Sequence, residues 1–171
     1  LADGHLNAWT YNPGQRRVRR APNFEYDNPA PVWQGLATVD QINGFTGAAD
    51  RYEWKIVGKK EIYIPYNNHK FFDSSVSYKD MIGPRFPRRD LIRYELHRVW
   101  VVEGNVRADR RHVIAKRVLY LDEDSWLIVA VDAYDTRGNL WRVQEALPQV
   151  LYEVPSCVSN GTIYYDLVAG R

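Results

Sequence analysis

The residues best suited to chemistry are four histidines (His5, His69, His97, His112), one cysteine (Cys157) and the acidic run Asp122-Glu123-Asp124. Imidazole and carboxylate groups together could hold a metal ion or move a proton. His97 and His112, placed on neighbouring strands, could do so with Glu95 or Glu103. Sheet histidines more often pair with carboxylates on a solvated face, and that is the expectation here. The acidic run has calcium-ligand chemistry, but an acidic tight turn between two strands accounts for it without an ion. Cys157 has no histidine close by in sequence to activate it and is expected to be a small buried or loop residue. No G-x-S-x-G elbow, phosphate-binding glycine loop or H-E-x-x-H pair occurs. The sequence therefore predicts no catalytic residue, no metal, no cofactor and no enzyme activity.

Binding chemistry is better represented. Arg16, Arg17, Arg19 and Arg20 form a cationic arm that could meet an anion or a protein partner, although a charged edge strand that resists edge-to-edge pairing has the same pattern. Tyr and Trp are abundant, 12 and 6 in 171 residues, which suits sheets with a wide apolar surface. With 23 basic against 21 acidic residues there is no general attraction to nucleic acid. One cysteine excludes an internal disulfide, and no apolar run is long enough to cross a bilayer as a helix.

The elements that must position these groups are mostly strands. Arg93 to Glu103 is a central strand whose Glu95, His97 and Arg98 interrupt its apolar alternation and require cross-strand partners. Arg111 to Leu121, Trp126 to Asp135 and Leu140 to Leu147 continue it as a meander, with turns at Gly104-Asn105, Asp122 to Ser125 and Thr136 to Asn139. Leu6 to Arg20 is a hairpin turned at Pro13-Gly14, and Pro22 to Pro31, carrying Phe24 and Tyr26, is a surface loop. Thr38 caps a short helix running through Phe45. Arg51 to Ile56 and Ile62 to Tyr66 read as a second hairpin, with a turn or bulge at Gly58-Lys59. Residues 69–92 form a long loop with one helical turn over Ser77 to Ile82, and Leu151 to Val154 and Thr162 to Val168 add two strands around Ser159-Asn160-Gly161. Nine or ten strands with at most two short helices imply a single mainly β domain over 1–171, an antiparallel sheet that curls strongly.

Five strings carry a resemblance: AWTYNPGQRRVRRAP (Ala8 to Pro22), DRYEWKIVGKKEIYIPYN (Asp50 to Asn67), RYELHRVWVVE (Arg93 to Glu103), AKRVLYLDEDSW (Ala115 to Trp126) and DAYDTRGNLWRV (Asp132 to Val143). They resemble DUF1329, a proteobacterial family of exported proteins of unknown function. That family is in turn similar to the periplasmic lipoprotein carrier LolA and the receptor LolB. The resemblance implies an incomplete antiparallel β-barrel with one or two short helices covering its concave side, in a fragment of a longer exported protein. It implies the periplasm or the periplasmic face of the outer membrane, with any export signal outside this chain.

The expected function is binding and carriage of a hydrophobic, lipid or acyl-bearing ligand in envelope transport, without covalent chemistry. The expected lining is Trp9, Tyr11, Tyr52, Trp54, Ile62, Ile64, Trp100, Trp126 and Trp141, on the cleaner apolar faces. Partners would be lipid or lipoprotein acyl chains, and an inner-membrane exporter or outer-membrane protein, but not nucleic acid. The alternative is an adaptor without a ligand cavity that docks through Arg16 to Arg20 or through the loop from Pro22 to Pro31.

Overall fold

The computed structural model describes residues 8–20, 26–30, 33, 35–83 and 86–170. His5, Phe24 and the ends of the proline-rich loop, Pro22 and Pro31, lie outside them. Two antiparallel sheets are present among the described residues. The first is the expected hairpin, β1 (Trp9–Asn12) and β2 (Arg17–Arg20), with Tyr11 opposite Val18. Asn12 closes its turn by accepting from the N–H groups of Gly14 and Gln15. All eight strand residues are exposed.

The second sheet is a six-stranded meander, every strand paired with the next in sequence: β3 (Tyr52–Pro65), β4 (Tyr94–Val106), β5 (Lys116–Asp122), β6 (Ile128–Tyr134), β7 (Leu140–Leu151) and β8 (Ser156–Asp166). The Arg93 to Glu103 stretch is β4, held on both sides as its composition requires. One face of the sheet carries Ile62, Ile64, Val99, Val101 and Val118 in register. These residues share a cluster with Val150 of β7 and Cys157 of β8, strands that are not their ladder neighbours. The Tyr94 hydroxyl of β4 likewise donates to Glu145 of β7 at 2.8 Å. The sheet is therefore curled without closing, and this cluster fills the inside of the curl.

Five sequence expectations need correction, three of them because a glycine expected at a reversal lies within a continuous strand. At Gly58-Lys59 the structure shows the bulge rather than the turn, between Ile56 and Gly58, and β3 runs through it, so the second hairpin does not form. Gly104-Asn105 is not a turn either, since β4 continues to Val106. A Cβ on Gly104 would lie 2.6 Å from the Trp54 ring of the paired strand, so this glycine admits an indole rather than a reversal. Ser159 to Gly161 is likewise mid-strand, within a single β8, and the Phe72 ring lies 3.0 Å from where a Cβ of Gly161 would be. With β3 continuous, and with the strand expected over Leu151 to Val154 replaced by the end of β7 at Leu151 and a turn over residues 152–155, the described residues hold eight strands rather than nine or ten. The helix expected from Thr38 to Phe45 is one 3-10 turn, Val39–Gln41, because Asp40 and Gln41 are drawn into buried side-chain bonds and Asn43 and Gly44 take positive φ. The helical turn expected over Ser77 to Ile82 is α1 (Tyr78–Met81), capped by Ser77.

Candidate functional site

A buried polar layer holds the segment over residues 35–47 on the sheet face opposite the curl. Arg117, Ala133, Arg142 and Asp166 line up across β5, β6, β7 and β8 on that face. Against them the 3-10 turn sets Asp40 and Gln41. Asp40 accepts from Arg117 Nη2 at 2.5 Å, His112 Nε2 at 2.9 Å and Thr38 Oγ1 at 2.6 Å. His112 Nδ1 accepts from the Ile114 N–H, which leaves Nε2 as the donor to Asp40. Arg117 Nε donates to the Tyr52 hydroxyl, which donates to Ile114 O. Burial alone would raise the Asp40 pKa, but the His112 bond and the Arg117 charge outweigh it and hold it below the ordinary value. Gln41 Oε1 accepts from Arg142, and its backbone O accepts from Tyr164, so β7 and β8 are bound to the same segment. Burial raises the Tyr164 pKa to about 12, which keeps its hydroxyl a neutral donor.

A second crossing segment is pinned on the inner face by Asn67 and Asn68. Asn68, fully buried, donates N–H and Nδ2 to Pro148 O and accepts from the Arg93 N–H, while Tyr66 N–H donates to Arg93 O. Both ends of the 66–93 excursion are thereby fastened to β7 and to each other. Its apolar residues Phe71, Leu91 and Ile92 pack on Leu147 as a second core cluster, joined by Phe72, Val76, Met81 and Ile163.

Between these two segments, at the outer edge of β8, lies a groove of about 990 Å³. Trp33 lines it together with Leu36 and Ala37 from the first segment, Phe71, Phe72, Val76, Met81 and Phe86 from the second, and Asn160 to Tyr164 from β8. Trp33 packs on Tyr164 at 5.4 Å between centroids, and Phe71 meets Phe72 edge-on at 5.2 Å. The lining is mainly apolar and aromatic, with Asp73, Ser74, Asn160 and Thr162 among its polar side chains.

None of the nine residues predicted as lining borders this groove. Trp9 and Tyr11 sit on the exposed hairpin, and Trp126 is 66% exposed in a turn. Tyr52 belongs to the polar layer and Trp54 packs beside it, 5.3 Å away. Ile62 and Ile64 belong to the cluster inside the curl. Trp100 carries the Lys59 ammonium at 4.3 Å, and Trp141 lies under the Arg142 guanidinium at 4.0 Å and donates to Asp166. The groove residues escaped because they sit in irregular chain. The available signal was density: Phe71, Phe72, Val76, Met81 and Phe86 fall in a stretch with no strand alternation, and large apolar residues there need a wall to pack on.

His97 and His112 do not meet. His97 Nδ1 contacts Asp122 at 2.9 Å at the far end of β5, whereas His112 contacts Arg117 and Asp40 near its start. His97, Asp122 and Asp124 offer three possible ligand atoms within 4.8 Å of one another. The Asp122 carboxylate, however, also accepts from the N–H and hydroxyl of Ser125, so it serves the Asp122 to Ser125 turn. The arginine cluster stands entirely on the exposed hairpin, with Arg17 and Arg19 on one face and Trp9, Tyr11 and Val18 on the other. Cys157 is half-buried against the inner cluster.

The sequence model for proteins of unknown function designated DUF1329 matches residues 2–171. An uncharacterised protein of Pseudomonas aeruginosa is 48% identical over 164 residues, 96% of this chain and 36% of that protein. Among solved structures, a DUF1329 family protein from Desulfovibrio piger aligns with TM-score 0.55 and 12% identity, over 96% of this chain and 53% of its own. An outer membrane lipoprotein-sorting protein domain from Vibrio parahaemolyticus aligns with TM-score 0.50 and 15% identity, over 96% and 54%. The chain thus spans about a third of that curated relative and about half of these solved chains.

Proposed function

The chain belongs to the DUF1329 family, and from that premise we propose that it binds and carries a hydrophobic, acyl-bearing ligand in the bacterial envelope, without covalent chemistry. The observation that carries this reading is the groove beside β8, mainly apolar on both walls and of ligand size. Ten buried methylenes would contribute about 8 kcal/mol before the cost of association, enough for a carrier that must also release. The likeness in fold to a lipoprotein-sorting domain supports an envelope setting, the periplasm or the periplasmic face of the outer membrane, with lipid or lipoprotein acyl chains as cargo. Native mass spectrometry of the full-length protein, followed by organic extraction, tests it. A discrete bound mass that extracts as lipid is the expected result. A clean apo mass, unchanged after incubation with envelope lipids, would sink the proposal.

The β1–β2 hairpin favours a second reading, docking onto an inner-membrane exporter or outer-membrane protein. A two-stranded ribbon alone is marginal in water, and this one exposes Trp9 at 62%, Tyr11 at 57% and Val18 at 64% beside its arginines. Charge reversal at Arg17 and Arg19 should then abolish capture of the transport partner while leaving extracted lipid unchanged. Undiminished capture would remove this reading.

A further inference from the structure

His97 stands on β4 with carboxylates on both sides of its ring. Nδ1 faces Asp122 Oδ1, at the end of β5, at 2.9 Å and Asp124 Oδ2, in the turn that follows, at 3.5 Å. Nε2 faces Glu95 Oε2, two residues back on β4, at 3.9 Å. The Tyr66 ring packs on the imidazole at 4.3 Å between centroids and fixes its orientation. Glu123, between the two aspartates, points elsewhere and takes Lys59 and Arg98. Among the described residues no lysine or arginine pairs with Asp122 or Asp124.

A neutral histidine–carboxylate bond does not account for this arrangement. Nδ1 carries at most one hydrogen, and Asp122 is placed to take it, so Asp124 converges on a nitrogen with nothing left to offer. The Asp122 side chain is also fully buried, and its other partners, the N–H and hydroxyl of Ser125, are neutral and bind Oδ2. Oδ1 is thereby left aimed at His97. A divalent cation among the three atoms answers both demands, since it takes Nδ1 and both carboxylates at once and neutralises the buried charge. The spacing suits it. Metal–ligand bonds of about 2.0–2.2 Å in a tetrahedron set ligand atoms roughly 3.4 Å apart. Here the three atoms lie within 4.8 Å of one another, with two of the separations 2.9 and 3.5 Å. With Nδ1 on the metal the ring hydrogen sits on Nε2, the nitrogen that faces Glu95. Glu95 is itself fixed by Asn67 Nδ2 at 2.9 Å and Arg93 Nε at 3.3 Å. A second carboxylate behind a histidine ligand orients the ring and raises its basicity toward a metal.

We propose that His97 Nδ1, Asp122 Oδ1 and Asp124 Oδ2 hold a divalent first-row transition-metal ion, for which Zn2+ is the probe. One nitrogen and two carboxylate oxygens suit such an ion better than Ca2+, which takes about six to eight oxygens. Asp124 is 77% exposed, so solvent completes the coordination. None of these residues borders the groove, and the proposal does not rest on the ligand reading.

Calorimetric titration of the untagged, metal-stripped full-length protein with ZnCl2, at about pH 7.5 where an ordinary imidazole is neutral, tests it. Zn2+ should bind in the micromolar range or tighter. Asp124→Asn, an exposed change, should weaken that binding at least about 10-fold, and His97→Gln more than about 100-fold. Glu123→Gln removes the same charge from the same turn and should leave the affinity unchanged. Equal weakening by Glu123→Gln would overturn the proposal, because the turn would then attract cations by its charge alone. Affinity undiminished in Asp124→Asn would overturn it by placing the ion elsewhere. A parent that binds no Zn2+ would also overturn it, and a protonated His97 shared among the carboxylates would then explain the contacts.

Discussion

Replacing Arg117 with methionine should destabilise the fold by about 3–5 kcal/mol, read as a lower urea midpoint at unchanged slope. The guanidinium side chain is fully buried and sits 2.5 Å from the equally buried Asp40 carboxylate. Removing it strands a negative charge that keeps only the His112 and Thr38 bonds. The loss would reach past the pair, because the turn holding Asp40 also carries Gln41, which binds Arg142 and Tyr164. Adding Asp40→Asn to the methionine variant should recover part of the loss, since the stranded charge is then gone. Recovery by the double variant separates a charge penalty from a simple packing defect. A single variant within about 0.5 kcal/mol of the parent would show that the layer does not brace the fold.

The same pair sets a pH dependence whose sign follows from Asp40. Its pKa in the folded chain lies below the ordinary 3.8, so ionisation is easier folded than unfolded. The associated stability is fully present above about pH 3.8 and is lost as pH falls through the lower folded value. Acid unfolding of the parent should therefore steepen below pH 4, and the Arg117→Met variant should lose that component.

Strand content was legible because it rests on local composition: Tyr94, Val99, Trp100, Val101 and Val102 make β4 a strand in any context, and its ionisable residues found partners as expected, His97 at Asp122 and Glu95 at Asn67. Glycine was where local reasoning failed. Gly104 and Gly161 carry the composition of turns, yet each lies under an aromatic ring from a distant part of the chain, Trp54 or Phe72, a demand invisible without the fold. The buried layer was hidden for the same reason. Asp40, His112 and Arg117 are separated by up to 77 positions, and nothing in the spacing of a loop carboxylate and a strand arginine says that they meet. The groove combined both difficulties, since its walls come from two irregular segments brought together by Asn68 and Gln41 rather than by any periodic pattern.

Placing aspartate at both Ile82 and Phe86 should weaken binding of a fluorescent fatty-acid probe by about 100-fold while leaving stability nearly unchanged. Both side chains border the groove, yet they are 68% and 54% exposed, so neither change opens a core cavity. Four methylenes denied an apolar wall at about 0.8 kcal/mol each amount to about 3 kcal/mol, a little over two decades in affinity. Two carboxylates at the rim would also have to be desolvated before a chain could lie against them, which adds to the loss. Trp126→Asp is the matched control, because Trp126 is equally exposed and borders a turn rather than the groove. Probe affinity that falls equally in both variants would mean surface adsorption rather than a site. Affinity unchanged in the double variant, with lipid still extracted from it, would move the cargo away from the groove beside β8.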